Sequence, residues 1–181
     1  MTTVRFGAIA LLASTALISG CASDFTAPSA LAAGPATNAS ATAPARVDNF
    51  MLVDANLEAH ELYRMADAPA IVIVTQANGD AATRAQASAL NDIAAAYGAK
   101  GVELMMMNSS LKDSREAIQA EAQKAGYRLP ILMDAYQLVG EGLGVTRSGE
   151  AYVINPKTWT VAYRGPVAGL SAALDAVLAG K

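Results

Sequence analysis

Cysteine and histidine, the two most versatile side chains for catalysis and metal binding, occur once each in this 181-residue chain, as Cys21 and His60. One thiol cannot form a disulfide within the chain, so stability must come from packing. One histidine leaves no Ser-His-Asp arrangement beyond chance. Glu58 and Glu61 flank His60, but neither adds a strong metal ligand at i+3 or i+4. We therefore interpret His60 as a surface or edge histidine and predict no metal site.

Met105-Met106-Met107 is a second candidate for metal chemistry, because thioether sulfur binds copper. In a strand, however, Met106 points to the face opposite its two neighbours. The run is therefore predicted to be core on both faces of a sheet. The glycines of residues 140–144 resemble a phosphate loop only superficially, because they do not join a strand to a helix start. No cofactor is predicted.

The composition indicates a folded domain that does not bind nucleic acid. Hydrophobic residues make up 53% of the chain and charged residues 16%, which is enough apolar surface for a sizeable core. The formal net charge of −3 provides no basic surface for a phosphate backbone.

The amino end has the pattern of an export signal. Arg5 precedes an apolar run, residues 7–20, that is too short to span a bilayer of about 30 Å. The run ends in Leu17-Ile18-Ser19-Gly20-Cys21, which resembles the lipobox of bacterial lipoproteins. The resemblance implies a signal peptide at 1–20, cleavage after Gly20 and lipidation of Cys21. Because Ala22 replaces the Asp of the inner-membrane retention signal, we expect a lipoprotein of the bacterial cell envelope, anchored in the outer membrane and facing the periplasm.

Residues 22–46 are rich in Ala, Pro, Ser and Thr and show no apolar periodicity. Three prolines, Pro28, Pro35 and Pro44, interrupt any helix that the alanines could start. The segment also has too few large side chains to offset its ordering entropy. We therefore predict that residues 21–46 are a lipidated cysteine with a flexible tether, and that the folded domain spans 47–181.

Strand and helix patterns alternate along this domain. Strands are predicted at 49–54, 70–75, 102–107, 131–134, 151–154 and 160–164. Helices are predicted at 57–65, 80–97, 111–125, 136–143 and 170–178, the third with a capping box between Ser110 and Asp113. Strand 70–75 is apolar on both sides, and the turn at 155–158 predicts an antiparallel final pair. The expected fold is α/β, a mixed central sheet with helices on both faces.

Several segments carry a resemblance to a known family: residues 49–54, 73–79, 129–134, 143–146, 152–154 and 161–165. They resemble the thioredoxin-fold redoxins, in the peroxiredoxin-like branch of the alkyl hydroperoxide reductase and thiol-specific antioxidant type. The match is collinear over residues 47–181. It implies a thioredoxin-like fold with a redox cysteine at the start of the helix after strand 70–75.

That cysteine position falls on Asp80, directly after Asn78 and Gly79. The amino end of a helix stabilises a thiolate, and it also stabilises a carboxylate. A carboxylate, however, cannot form a sulfenate or a disulfide. We therefore expect Asp80 to be the N-cap of its helix, accepting from backbone N–H groups near Ala82 or Thr83.

The surroundings of Asp80 also depart from the family pattern. Ala77 stands where peroxiredoxins place Thr or Ser, and Ala81 stands where Pro is common. Gly149 occupies the place of the cis-proline that many thioredoxin-fold proteins carry. Arg84 and Arg147 are each expected within reach of the site, but no peroxidatic thiol is present for them to activate.

Two functional classes remain open. In the first, the chain is a redox-dead redoxin that holds an unknown protein partner or a small ligand over the former active-site face. In the second, it is a peroxiredoxin-like enzyme or thiol-disulfide oxidoreductase in antioxidant defence, as the family name suggests. Sulfur chemistry requires a thiol that residues 47–181 lack, so the binding or structural module is preferred.

Overall fold

The computed structural model describes residues 46–180. The predicted signal segment, the proposed lipidation site Cys21 and the tether as far as residue 45 lie outside the described residues. Within residues 46–180, no helix combines the length and the apolar character needed to cross a membrane.

Seven strands and five α-helices alternate along this part of the chain, with short 3₁₀ turns at Leu62–Met65 and Val167–Gly169. The strands are β1 Met51–Val53, β2 Ala59–Glu61, β3 Ile71–Gln76, β4 Glu103–Asn108, β5 Ile131–Met133, β6 Glu150–Asn155 and β7 Thr160–Pro166. The helices are α1 Ala81–Ala85, α2 Ala87–Gly98, α3 Arg115–Ala125, α4 Leu138–Gly142 and α5 Leu170–Leu178.

The main sheet has the strand order β5-β4-β3-β6-β7. Strands β3, β4 and β5 are parallel, whereas β6 is antiparallel to β3 and β7 is antiparallel to β6. The mixed sheet predicted from the sequence is therefore confirmed. Parallel strands all end at one edge of the sheet, so the loops after β3, β4 and β5 meet there, together with the loop that precedes the antiparallel strand β6.

The core lies on both faces of this sheet. On one face, Val72, Val74 and Met106 pack against side chains of α2, α3 and α5, including Leu90, Ile118 and Leu174. On the other, Ile71, Ile73, Met105 and Met107 pack with Leu62 and Tyr152, and Val139 of α4 packs against this cluster. All three methionines of the run are buried, as predicted, and helices cover both faces.

The helix predicted at 57–65 is wrong. Residues 59–61 form β2, which pairs with β1 so that Met51 lies opposite Glu61 and Val53 opposite Ala59, and the following four residues form a 3₁₀ turn. A nine-residue amphipathic pattern is too short to fix a helix by itself, because most helical stability comes from tertiary packing. Backbone pairing with β1 decided the conformation here.

The single helix predicted at 80–97 is two helices in the structure. α1 ends at Ala85, the next residue Gln86 has φ −94° and ψ −2°, and α2 begins at Ala87. These dihedral angles lie in the bridge region at the edge of the helical range. The predicted start at Asp80 is confirmed, and the end is displaced by one residue to Gly98.

The capping box predicted between Ser110 and Asp113 is also wrong. α3 starts four residues later, with Ser114 as its N-cap; the Ser114 hydroxyl accepts from the Ala117 N–H at 3.2 Å. The Asp113 carboxylate instead accepts from the Asn78 N–H and the Asn108 side chain. Leu111, predicted to be on the buried side of a helix, is 72% exposed in the loop.

Candidate functional site

The loops at the carboxyl ends of β3 and β4 are held together by buried amides. The Asn108 Nδ2 donates to Gln76 Oε1 at 2.9 Å and to Asp113 Oδ2 at 2.9 Å. Gln76 Nε2 donates to the Asn78 side chain, and the Asn78 N–H donates to Asp113. Buried polar groups that satisfy one another in this way rigidify their surroundings. The network therefore fixes residues 77–79, the segment that leads into Asp80.

Asp80 is the N-cap of α1, as the sequence analysis predicted. Its backbone is extended, and its Oδ1 accepts from the Ala82 N–H at 3.0 Å. Gly79 precedes it with φ +85°, a conformation that L side chains rarely adopt. The turn at Gly79 thus lets the chain leave β3 and enter α1 with the Asp80 carboxylate at the helix start.

The second carboxylate oxygen of Asp80 joins two loops that are distant in sequence. Oδ2 accepts from the hydroxyl of Thr83, in the first turn of α1, and from the hydroxyl of Ser148 at 2.6 Å. Ser148 lies in the loop before β6, 68 residues further along the chain. We call this three-residue contact of Asp80, Thr83 and Ser148 the carboxylate latch. Because both oxygens have partners within the protein, the latch holds the α1 start against the β6 loop.

The environment lowers the pKa of Asp80 below its ordinary value of 3.8. The Ser148 hydroxyl makes the largest contribution, followed by the Thr83 hydroxyl, and the N–H groups of Ala82 and Thr83 add to the effect. Each donor stabilises the ionised carboxylate more than the neutral acid, and this outweighs the opposing effect of burial. Asp80 is therefore an anion at neutral pH.

Acid should weaken the carboxylate latch in a measurable way. A carboxyl group whose pKa is lower in the folded than in the unfolded state stabilises the fold at pH values above the unfolded pKa. That stabilisation is lost as the pH falls through the folded pKa. Asp80→Asn keeps a capping side chain but does not titrate. We expect the stability advantage of the wild type over Asp80→Asn, measured by urea unfolding at about pH 6 and about pH 3, to shrink in acid. Since the other carboxyl groups titrate in both proteins, an advantage that grows in acid would contradict the latch.

The Arg84 guanidinium is paired with Glu121. Its Nη2 donates to Glu121 Oε2 at 2.6 Å, and its Nε donates to Glu121 Oε1, so the two side chains form a bidentate ion pair between α1 and α3. This contact raises the pKa of Arg84 and lowers the pKa of Glu121. Arg84 therefore joins α1 to α3 through Glu121.

Arg147 and Gly149 lie on either side of Ser148. The Arg147 side chain is 68% exposed, and its Nη2 is 3.6 Å from the buried Glu150 carboxylate. Gly149 has φ +74°, and its N–H donates to the carbonyl of Thr75 at 2.8 Å. A side chain at Gly149 would meet the Thr83 hydroxyl at 3.3 Å. The glycine therefore allows the β6 loop to approach α1 closely enough for Ser148 to reach Asp80.

A polar cavity of about 400 Å³ opens beside this loop. Its polar lining includes Gln76, Ser109, Gln137, Thr146, Arg147 and Ser148. We name the sheet edge that carries this cavity, formed by residues 76–80, 109–113, 134–138 and 146–149, the strand-end face. The volume suits a small polar molecule or a side chain of a partner protein.

The strand-end face also exposes large apolar side chains. Leu111 is 72% exposed in the loop after β4, Tyr136 is 86% exposed in the loop after β5, and Leu138 is 70% exposed at the start of α4. Tyr136 and Leu138 line a second cavity of about 540 Å³, with Met51 of β1 across it. Tyr136 and Leu138 thus share one cavity, whereas Leu111 lies on a separate loop at the same sheet edge.

Sequence reasoning placed Asp80 correctly at a helix start but missed Ser148 and the Asn108 network. Ser148 is preceded by an arginine and followed by a glycine, and this local pattern does not indicate a contact with residue 80. Asn108 follows a run of apolar strand residues, and polar side chains at the ends of parallel strands meet at one edge of the sheet. Its position therefore indicated a site at this edge more clearly than that of Ser148.

The chemistry available at this site follows from its residues. Of the described residues, 46–180, none is a cysteine, because the single cysteine of the chain is Cys21. A carboxylate with two occupied oxygens can bind donors and stabilise a helix end, but it cannot exchange disulfides or reduce a peroxide through a sulfenic acid. The contacts of Asp80 therefore stabilise the helix start and join it to the β6 loop.

A mixed sheet in this strand order, with helices on both faces and a stabilised anion at the start of the helix after β3, defines a thioredoxin-like redoxin domain. Residues 43–169 match the model of the AhpC/TSA family. The chain therefore belongs to the AhpC/TSA family. No curated protein matches the chain.

Solved structures agree with this fold. A hypothetical protein from Sinorhizobium meliloti 1021 is 26% identical, with 77% of this chain and 86% of that chain covered and a TM-score of 0.69. An uncharacterised conserved protein from Geobacillus kaustophilus is 25% identical, with 76% and 82% covered and a TM-score of 0.68. Peroxidoxin BcpB from Mycobacterium tuberculosis is 17% identical, with 76% and 97% covered and a TM-score of 0.62. This last likeness concerns the fold alone.

Proposed function

We propose that this protein is a lipid-anchored redoxin of the bacterial envelope that has lost the catalytic cysteine and binds a partner protein through its strand-end face. The signal at residues 1–20 and the lipobox at Cys21 support export and anchoring in the outer membrane, with the domain facing the periplasm. In this proposal the fold is a scaffold and position 80 is no longer a reaction centre.

The observation that carries the proposal is the state of Asp80. The family resemblance places the redox cysteine at this position, and here the side chain is a carboxylate whose two oxygens are bound by Ala82, Thr83 and Ser148. A helix start that favoured a thiolate favours this carboxylate for the same electrostatic reason. Replacement of sulfur by a carboxylate therefore keeps the fold stable while removing two-electron chemistry.

The exposed apolar residues favour a protein partner over a small ligand alone. Leu111 and Tyr136 are exposed on the loops after β4 and β5, and Leu138 is exposed at the start of α4. Tyrosine is enriched among the residues that dominate binding energy at protein interfaces. The polar cavity between these loops could accept a polar side chain of the partner.

The alternative is an antioxidant enzyme, either peroxiredoxin-like or a thiol-disulfide oxidoreductase, and the AhpC/TSA family membership favours it. This alternative needs a thiol supplied by another molecule, because Cys21 is the only cysteine. It predicts peroxide-dependent or disulfide-dependent turnover by the purified protein, which the binding proposal does not.

We expect purified protein to show no peroxidase or insulin-reducing activity, and Asp80→Cys to restore little of it. The new thiol should have a pKa below the ordinary value of about 8.5, because the α1 start and the Ser148 hydroxyl stabilise the thiolate. Ala77 and Ala81 nevertheless leave the site without its usual orienting groups. Thiol alkylation against pH measures the pKa, and peroxide consumption measures turnover. Turnover by unmodified protein that survives Cys21→Ala would establish the enzyme alternative.

Anchoring is tested separately. Mass spectrometry of the membrane fraction should identify an acylated amino-terminal peptide that begins at Cys21. Cys21→Ala should leave folded domain that is unprocessed or no longer anchored, because residues 47–181 do not depend on this residue for packing. Mature protein that keeps residues before Cys21 and a free thiol on it would contradict lipidation, without affecting the assignment of the strand-end face.

Partner binding is tested by site-specific photo-crosslinking in the native envelope. A photoreactive amino acid replaces Leu111 on the strand-end face in one protein and Leu57 in the other. Leu57 is a matched control, since it is 64% exposed but lies in the loop between β1 and β2, beyond the opposite end of β5. We expect one stoichiometric crosslinked partner from position 111 and none from position 57. Equal crosslinking from both positions, or none from either, would count against the proposed face.

A further inference from the structure

Three side chains with metal-binding atoms converge at the hairpin of β1 and β2, remote from the carboxylate latch. The ligand atoms of Asp54, Glu58 and His60 all lie within 4.8 Å of one another. The sequence analysis found no second ligand for His60 at helical spacing, because it treated residues 57–65 as a helix. The strand pairing instead places His60 opposite Leu52 and brings Asp54, six residues earlier, beside it.

Asp54 is a buried carboxylate with little compensating positive charge. Its side chain is 2% exposed, and Oδ1 accepts from the N–H groups of Asn56 and Glu58. Of the described residues, His60 is the only basic one within 4.0 Å of it. Glu58 adds a second negative charge nearby. These N–H donors and the imidazole satisfy the carboxylate oxygens but leave no lysine or arginine of residues 46–180 within 4.0 Å of them, so a bound cation would be electrostatically favoured here.

The second carboxylate oxygen of Asp54, Oδ2, lies close to the imidazole of His60. Oδ2 is 3.2 Å from His60 Nε2. This contact is a hydrogen bond, and two ligands on a tetrahedral Zn²⁺ with bonds of about 2.1 Å are separated by a similar distance of roughly 3.4 Å, so an ion that displaces the bridging proton could take both atoms as ligands after they turn toward it. Glu58 is exposed, and its side chain can rotate so that its carboxylate becomes the third ligand of the ion.

We propose that Asp54, Glu58 and His60 bind a divalent transition-metal ion of the Zn²⁺ or Cu²⁺ type. One imidazole nitrogen with two carboxylate oxygens suits both ions, and exchangeable water would complete a tetrahedral site around Zn²⁺ or a tetragonal site around Cu²⁺. A cavity of about 510 Å³, lined by all three residues, gives the ion and its water access to the site.

The site would fasten the hairpin to the main sheet. Asp54 forms an isolated bridge with Leu132 of β5, and the next residue donates its N–H to the Ile131 carbonyl. An ion bound to Asp54 and His60 would therefore connect β2 to the contact between residues 54–55 and β5. The inference is independent of the proposed function, since the strand-end face lies at the opposite end of β5.

The test is titration of the purified full chain with Zn²⁺, followed by calorimetry. All proteins carry Cys21→Ser, so that no thiol competes, and no polyhistidine tag is used, because His60 is the only histidine. We expect one Zn²⁺ per chain. His60→Ala and Glu58→Gln should each weaken the apparent Kd at least tenfold. Glu61→Gln is the matched control and should change it less than twofold, since Glu61 contacts Asn49 and Arg64 instead.

The lone imidazole provides a second readout. Its ring signals in the NMR spectrum should shift with Zn²⁺ and saturate at the calorimetric Kd. Absence of binding at millimolar Zn²⁺, or binding that Glu58→Gln and His60→Ala leave unchanged, would overturn the proposal. Binding without any change in the imidazole signals would place the ion elsewhere and overturn it equally.

Discussion

Asn108→Ala should lower the free energy of unfolding by about 3 kcal/mol, because it leaves several buried polar groups without partners. Asn108 is 1% exposed, and its side chain contacts Gln76, Asp113 and the Ser110 N–H. Alanine removes all three contacts and leaves the Gln76 oxygen buried. The loss should also loosen residues 77–79, which the same network positions. Urea unfolding measures the stability, and amide hydrogen exchange at residues 78–80 measures the loosening.

Asn56→Ala is the matched control for this prediction. Asn56 is exposed, and only its backbone N–H makes a hydrogen bond, to Asp54. Its replacement should change stability by no more than about 0.5 kcal/mol, as surface substitutions usually do. Similar effects from the two substitutions would mean that the buried network does not hold the loop before Asp80.

Tyr136→Ser should reduce partner capture from position 111 at least tenfold without a comparable loss of stability. Tyr136 is 86% exposed, so little of its side chain supports the fold, whereas a tyrosine at the centre of an interface carries a large share of the binding energy. A tenfold loss corresponds to about 1.4 kcal/mol. The readout is the yield of the crosslinked partner with the photoreactive residue at position 111.

Leu57→Ser is the control, because it removes an exposed apolar side chain at the opposite end of β5. It should leave the crosslinking yield unchanged. If Tyr136→Ser has no effect while a partner is still captured, the partner contacts another part of the strand-end face and the apolar residues are not its anchor. If both substitutions reduce capture equally, the effect is nonspecific.

The carboxylate latch shows how a carboxylate can occupy the helix start at which the family resemblance places a thiolate. A thiolate at a helix start is stabilised by N–H groups and nearby hydroxyl groups. Asp80 receives the same kinds of donor from Ala82, Thr83 and Ser148. Because a carboxylate has two oxygens, it can satisfy the helix end with one and bind the β6 loop with the other. Position 80 thereby joins the start of α1 to the β6 loop.

Features that depend on near neighbours in the chain were determined by the sequence alone. The apolar, β-branched residues 71–74 made a strand covered on both faces predictable, and the alternation along 105–107 correctly placed Met106 opposite its neighbours. The N-cap role of Asp80 is equally local, because its partner Ala82 is two residues away. Periodicity and capping act over at most about four residues, so a sequence displays them directly.

Features that depend on strand pairing were decided only by the tertiary structure. Pairing with β1 made residues 59–61 a strand where the local pattern predicted a helix, and it placed Asp54 beside His60. The strand order brought Ser148 to Asp80 across 68 residues. The Asp113 carboxylate accepts from the Asn78 N–H, and Ser114 is the N-cap of α3. Each of these outcomes was settled by hydrogen bonds between segments whose proximity is set by the order of strands in the sheet. Local periodicity carries no information about that order, so these contacts could not be predicted from neighbouring residues.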